Sequence, residues 1–587
     1  MKKRYHLVLV LTKESNLRKE KRLLFLGKWC EIGLKNKKKL NYKILKNPWE
    51  SDLNKTHGNK IIKKKYKDLK KFLSLYLNKI HNKNFSELYW EQIFGHWLIN
   101  FISIYQERIY LIKKLNKYSI KSYNFIDLRE EDFTPNNSLA AQELFQNDLW
   151  NGYFSSILLN KIKPNIRFKK KKCKIKVKIF RKKNLKFRFL NFLKKIYSGI
   201  YKNFETKDKI FLISTYIGTL NEIKLQYKIN DNFKIYEHLS FNTLSNVNKC
   251  FRNYKISDCL KNPSSKFLRS LVIKFLPKSY LEDYSNYCSF LISKKIWPIK
   301  PKIIFTSNSH FVDDVFKIWL ANQRENKTKL IIGQHGSGYL FPKYNTSYDR
   351  DIINCDKFLF WGKKKFANKR IKSNFNLLNI NKKIIRKSKK NILMVQNFPN
   401  KYQNKLISTE HSLSDIYKNI ELQKNFILLL NNELINKVVI RLGSTDKFSN
   451  KILDYEREQW NLKEDISFET RDVSIIKSFN KANFIIVNSI ISTVFLECLA
   501  RNIPCFVISL FDRKMFSQEC FEDFYMLKEI GIIQNNSRNF ASFINKNFKN
   551  IDEWWNTQKV QNIIRRFNYR YNFSVHDPIS SLAKKIK

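Results

Sequence analysis

Short apolar runs separated by stretches of helical spacing fill the middle and last third of this 587-residue chain. Lys209–Thr215 (KIFLIST), Lys302–Ser307 (KIIFTS), Lys329–Gly333 (KLIIG) and Lys357–Trp361 (KFLFW) make one set. Asn391–Gln396 (NILMVQ), Lys437–Leu442 (KVVIRL), Ile466–Thr470 (ISFET), Phe484–Asn488 (FIIVN) and Pro504–Ser509 (PCFVIS) make another. Uninterrupted apolar strands with helices between them mark parallel sheets covered on both faces. Two such sets predict an α/β fold with two doubly wound, Rossmann-like domains. The lysine-rich stretch Lys363–Lys390 reads as the link between them. The first two hundred residues differ. Ser86–Leu115 has apolar residues at three-to-four spacing and predicts a long buried helix, on which Trp90, His96 and Trp97 read as core packing. The expected division is 1–200 as an N-terminal region with a helical insertion, 201–385 as a first Rossmann-like domain, and 386–587 as a second.

Composition narrows this picture. Hydrophobic residues are 43% and aromatics 15%, enough for packed cores and against wholesale disorder. A net charge of +62 would ordinarily point to nucleic acid. Here the excess is mostly lysine, spread along the chain with abundant Asn, Ile, Phe and Tyr. Those types share adenine/thymine-rich codons, so biased codon usage accounts for the basicity, and no nucleic-acid motif accompanies it. The nine cysteines are scattered without paired spacing, which reads as reduced thiols in the cytoplasm and predicts no metal or cofactor. The opening MKKRYHLVLV reads as a first β-strand, and no run approaches the roughly 20 apolar residues that span a bilayer. The basic stretch Arg167–Lys195 suits either an anionic membrane surface or a solvated insertion.

Candidate chemistry gathers in two places. After Lys329–Gly333 comes Gln334-His335-Gly336-Ser337-Gly338, so three of the chain's 13 glycines lie within six residues. Glycines cluster where backbone turns sharply or approaches something closely, and His335 is the side chain suited to proton transfer near neutral pH. The second place is Ala482–Ile508, which parses as strand, loop, helix, strand. Ser492 and Thr493 stand at the helix start, either as ordinary caps or as part of an anion site. Glu497 follows on a similar face. Arg441 stands at the carboxyl end of its strand, as a surface ion pair or as a diphosphate fork. Asp349-Arg350-Asp351 is literally D-x-D, but it follows a polar run and reads as chance. A hydrolase reading of the His-Gly loop lacks the G-x-S-x-G elbow it requires.

These segments resemble the transferases of bacterial surface-carbohydrate and O-antigen gene regions. The resemblance is carried in order by LFLGKWC (Leu24–Cys30), His96 and Arg108, and DLWN (Asp148–Asn151). It continues through STYIGTLNEIKLQ (Ser214–Gln226), the GQHGSGY loop, DKFLFWG, STVFLECLARNIP and IDEWW (Ile551–Trp555). The chain departs at Ser337 and Leu340, where glycine is usual, and at Asp351, where glutamate is. That family is similar to GT-B transferases of capsule and teichoic-acid type. The resemblance implies two Rossmann-like domains facing a cleft, the first for the acceptor and the second for a nucleotide-activated donor. It implies His335 as general base, with Glu222 as the replacement candidate. Gln334, Gly336 and Gly338 would shape the loop backbone. Arg441, Ser492 and Thr493 would hold the donor's phosphates, and Glu497 its sugar. The implied partners are a nucleotide-activated donor and a carbohydrate or lipid-linked acceptor, with no specific nucleic acid, at the inner face of the membrane. The alternatives are a nucleic-acid-binding protein and a non-catalytic binding protein of the same fold.

Overall fold

The computed structural model describes residues 4–175, 209–254, 263–377, 390–443 and 456–587, apart from 13–16, 18–19, 35–38, 234, 244, 295–296, 398–399, 410–411, 461 and 463–465. The expected boundaries near 200 and 385 lie outside the described residues, as does most of the basic stretch after Arg167.

The described residues form three parallel sheets. The first contains β1 (Arg4–Val8), β2 (Leu23–Phe25), β3 (Tyr42–Ile44), β4 (Ser119–Asp127) and β5 (Arg167–Lys172), in the order β3-β2-β1-β4-β5. The second contains β6 (Ile210–Ile213), β7 (Ile303–Thr306), β8 (Lys329–Gly333), β9 (Lys357–Phe360) and β10 (Ile371–Ser373), in monotonic order. The third contains β11 (Asn391–Val395), β12 (Val438–Arg441), β13 (Ser467–Glu469), β14 (Ala482–Val487), β15 (Cys505–Ile508) and β16 (Ile533–Gln534). Its order is β13-β12-β11-β14-β15-β16, the 3-2-1-4-5-6 arrangement of dinucleotide-binding sheets. Every run expected as a strand in the middle and last third is one. The second and third sheets are the GT-B-like pair, and the first sheet adds to the expected helical region.

Two long helices tie the first sheet to the others. Helix α1 (Asp52–His81) starts at Ser51, whose hydroxyl accepts from Asn54 N, and stops at Asn82 in the left-handed region (φ 49°). Helix α2 (Glu87–Lys114) starts at Ser86, which accepts from Tyr89 N, and is buried along most of its length. A helix buried on every side has to place its polar residues against partners. Arg108, fully buried, lies 4.3 Å over the Trp29 ring and donates to Asn151 Oδ1 at 2.9 Å. Glu91 accepts from Arg350 at 2.9 Å and pairs with Lys70 at 3.2 Å. Gly95 leaves room for that guanidinium, because a Cβ there would lie 2.5 Å from Arg350 Nη2. The Glu91–Arg350 pair thus fixes α2 to the short helix Tyr348–Asn354, which carries Asp351.

The chain's end returns to the second sheet. Lys363 N donates to Tyr569 O and Asn376 N to Phe573 O, and Lys357 Nζ donates to the Lys585 carbonyl at 2.7 Å. Gly362 meets this tail so closely that a Cβ would lie 1.9 Å from the Arg570 carbonyl. The expected link from Lys363 therefore begins inside the second sheet, since Ile371–Ser373 pairs with β9. No helix among the described residues is long and apolar enough to cross a membrane.

Candidate active site

Parallel sheets present their ligand crevice at the carboxyl ends of the strands, and the candidate residues converge there. The turn after β6 holds Ser214 (φ 50°), Tyr216 (φ 64°) and Gly218 (φ 84°) in the left-handed region. Such backbone costs about 1–3 kcal/mol per non-glycine residue and clusters at ligand sites. The loop after β8 does the same at Gly338 (φ 91°) and Leu340 (φ 65°), so Leu340 adopts a backbone that suits glycine where the resembled family has one. Gln334 clamps this loop. Its side chain accepts from Trp361 N at 3.0 Å and donates to Gly336 O at 2.9 Å.

His335 lies half-buried between the two turns, its ring 5.6 Å from that of Tyr216. Its Nδ1 is 3.1 Å from the Tyr339 hydroxyl, which donates to Asp351 Oδ2 at 2.7 Å. Burial works against the charge of Asp351, but His310 and His96 prevail and hold the carboxyl well below its usual range. The ionised carboxylate takes the single tyrosine proton, so the tyrosine oxygen accepts from His335 Nδ1–H. Nε2 is left with its lone pair. Burial pushes the His335 pKa down to about 4, with His310 and Lys405 adding and Asp351 and the Ser307 carbonyl opposing. His335 is therefore neutral near pH 7, as a general base must be.

Asp351 is the hub that sequence reading missed. Its Oδ1 lies 3.0 Å from His310 Nε2 and 3.1 Å from His96 Nε2, and all three residues are buried. These residues come from α2, the turn after β7 and the helix Tyr348–Asn354, so no local spacing announces them. His96 is buried as expected, but it faces this hub rather than only packing. The two carboxylates of Asp349-Arg350-Asp351 diverge: Asp349 lies 3.7 Å from Lys63, while Asp351 faces the two histidines. The His96–His310–Asp351 donors could in principle hold a metal ion, lying within 4.8 Å of one another. Their surroundings fit poorly. Metal-bound imidazoles donate their other N–H to an acceptor, yet Nδ1 of both histidines is buried without a partner. As hydrogen-bond donors to the carboxylate through Nε2–H, they leave only bare acceptor nitrogens, which burial tolerates better than orphaned N–H groups.

The opposite wall comes from the third sheet. The helix Thr493–Ala500 begins after β14, and Thr493 Oγ1 accepts from Ser337 N at 3.0 Å. Gly336 lies beside it, since a Cβ added there would be in van der Waals contact with that same oxygen at 3.5 Å. Thr493 is thereby joined to the His335 loop with its hydroxyl proton still free to donate. Ser492 occupies the cap position without making a side-chain cap bond. Arg441 is placed differently from expectation. Its guanidinium pairs with Glu469, and Nη2 donates to the Val473 carbonyl at 2.8 Å. The fork is engaged inside its own sheet and not presented to a diphosphate. Glu497 is paired with Arg501 at 3.0 Å, one turn on. Glu222 accepts from Thr215 Oγ1 at 2.7 Å and so braces the turn that carries Tyr216 toward His335.

The two Rossmann-like sheets meet where the His335 loop contacts the start of the helix Thr493–Ala500. A profile of the LIC12162 family of transferases matches residues 7–586, and the chain belongs to that family. No curated protein matches it. Among solved structures it is similar to the S. aureus MnaA–UDP complex, at 13% identity and a TM-score of 0.33, over 64% of this chain and 94% of that one. Anabaena HepE with UDP-glucose gives 10% and 0.34 over 64% and 97%. The wall teichoic acid polymerase TagF soaked with CDPG gives 14% and 0.32 over 68% and 96%. Likenesses this distant bear no weight for the residues of this chain.

Proposed function

We propose that this transferase moves a sugar, or a related group, from a nucleotide-activated donor onto the acceptor of a growing surface polysaccharide. The observation that carries this reading is the 3.0 Å contact between Ser337 N and Thr493 Oγ1, which joins the base-bearing loop to the start of a helix. A helix start offers free N–H groups and the positive end of the dipole to an anion. The acceptor hydroxyl attacks the sugar's anomeric carbon and loses its proton to His335 Nε2. The carbon–oxygen bond to phosphate breaks, and the nucleoside diphosphate leaves with the electron pair. Tyr339 and Asp351 hold the ring for that transfer, and the Ser307 carbonyl favours the imidazolium that results. Ser492 and Thr493 receive the leaving phosphates. Glu497 remains the donor-sugar candidate, Glu222 a support of the wall, and Arg441 a structural ion pair. The reaction uses no metal, and the acceptor is carbohydrate or lipid-linked at the inner membrane face.

A thermal-stability screen of nucleotide sugars in excess chelator tests this. One of them should stabilise the chain by about 2.7 kcal/mol at a hundredfold excess over Kd. Stabilisation that appears only when divalent metal is restored would refute metal-free binding. A flat screen in both conditions would refute the donor class.

A further inference from the structure

Between β11 and the helix Leu413–Leu428 the chain runs alongside the continuation of the His335 loop. Thr346 N donates to Leu406 O at 3.0 Å, Leu406 N donates to Thr346 Oγ1 at 3.1 Å, and Asn345 bridges to Ile407. This crossing brings Lys405, a residue of the third sheet's side, to the heart of the other wall. Its Nζ lies 4.9 Å from the centre of the Tyr348 ring. Tyr348 stacks on Tyr339 at 4.0 Å with the rings 6° apart, and Tyr339 contacts both His335 and Asp351.

The lysines nearby in the fold are satisfied by the protein. Lys401 pairs with Asp148 at 2.5 Å, and buried Lys55 donates to the Ser408 carbonyl at 3.2 Å. Lys405 is different. It is half-buried, yet among the described residues no hydrogen bond or ion pair reaches its ammonium. A cation withdrawn from water without hydrogen-bond acceptors is costly, and burial lowers its pKa to about 8 against the opposing but non-contacting charge of Asp351. An ammonium with three unused donors, one ring from the base, suits a substrate oxyanion. A lysine offers such an anion a point charge.

We propose that Lys405 is a phosphate-contacting residue of the transfer site, its ammonium taking an oxygen of a substrate diphosphate. This rests on the transfer reading above. A diphosphate oxygen is offered by the nucleotide donor and equally by a lipid-diphosphate acceptor, and the test separates them. Lys405→Gln, which keeps the stem over Tyr348, and Lys405→Arg, which keeps the charge, are made in the full chain. Calorimetric titration then uses UDP and CDP as donor-side probes, and farnesyl diphosphate in mild detergent as the acceptor-side probe.

Lys405→Gln should weaken at least one probe by about tenfold to a hundredfold, as expected for losing a charged hydrogen bond. Lys405→Arg should recover most of that affinity. Loss confined to UDP or CDP assigns Lys405 to the donor, and loss confined to farnesyl diphosphate assigns it to the acceptor. Unchanged affinity in Lys405→Gln for every probe overturns the proposal. So does an equal loss in both variants, which would mean that packing and not charge matters, and so does a native chain that binds none of the probes. His335→Ala is the control and should keep its diphosphate affinity. Charge-dependent diphosphate binding by a native chain that turns over no nucleotide sugar would sink the transfer reading and leave Lys405 standing.

Discussion

His335→Ala turns over donor and acceptor more slowly by on the order of 10²–10⁴-fold, with donor affinity nearly unchanged. The rate should fall because the neutral ring is the proposed acceptor of the incoming hydroxyl's proton. Affinity is expected to hold because the proposed seat of the donor's phosphates is the start of the helix Thr493–Ala500, in the other wall. The pH profile carries a second signature. With the His335 pKa pushed down to about 4, the native rate should stay level from neutral pH through the usual histidine range and fall only as pH approaches 4. An inflection near 6.5 would mean that the base is some other, solvated group. Steady-state kinetics of native and variant chains, alongside melting curves, separate lost chemistry from lost fold. A variant that melts normally and keeps the parental rate would remove His335 from the mechanism.

Asp351→Ala has the largest expected effect on stability. One buried carboxylate takes hydrogen bonds from His96, His310 and Tyr339. Removing it strands three buried donors at about 1–3 kcal/mol each, a total on the order of 4 kcal/mol or more, readable by urea unfolding. Asp351→Asn preserves shape and one acceptor oxygen, so it should fold better and still be slow. Without the carboxylate the tyrosine proton is no longer claimed, and the His335 tautomer is no longer fixed. Asp351→Asn with both native stability and native rate would show that the hub neither holds the fold nor orients the base.

Buried histidines set acid sensitivity. His96 and His335 in this cluster, and His81 at the end of α1 against the Tyr280 carbonyl, have pKa values pushed down to about 4, chiefly by burial. An unfolded chain binds those protons near 6.5 and the native chain does not, so stability should fall as pH drops from about 6.5 to 4. The carboxyl of Asp351, held low, loses its contribution only below that window.

Eight strands of the second and third sheets were legible because each is a largely apolar stretch of four to six residues, whereas the short edge strands Ile371–Ser373 and Ile533–Gln534 gave no such signal. Those of the first sheet were not legible, apart from the opening strand Arg4–Val8. Leu23–Phe25 and Tyr42–Ile44 are three residues long, too short to show a period. Arg167–Lys172 is an exposed, lysine-laden edge, the kind of charge that discourages pairing with another chain and hides a strand from a hydrophobicity reading.

The site divides the same way. The His335 loop and the helix at Thr493 announced themselves by glycines and by a strand–helix junction, which are local signals. His96, His310 and Asp351 meet only in the fold, across α2 and two sheet edges. Arg441 shows the converse: a position at the carboxyl end of a strand is legible, whereas the Glu469 that occupies its fork sits on a neighbouring strand. Lys405 is one of many lysines, and only the fold distinguishes it from the others.

The most direct measurement is hydrogen–deuterium exchange of the full chain with and without the nucleotide sugar that stabilises it best. Donor binding in the cleft should slow exchange together at Gly336–Tyr339 and at Ser492–Val494, the two segments joined through Ser337 and Thr493. Protection that leaves both segments untouched, with the ligand bound, would contradict the account.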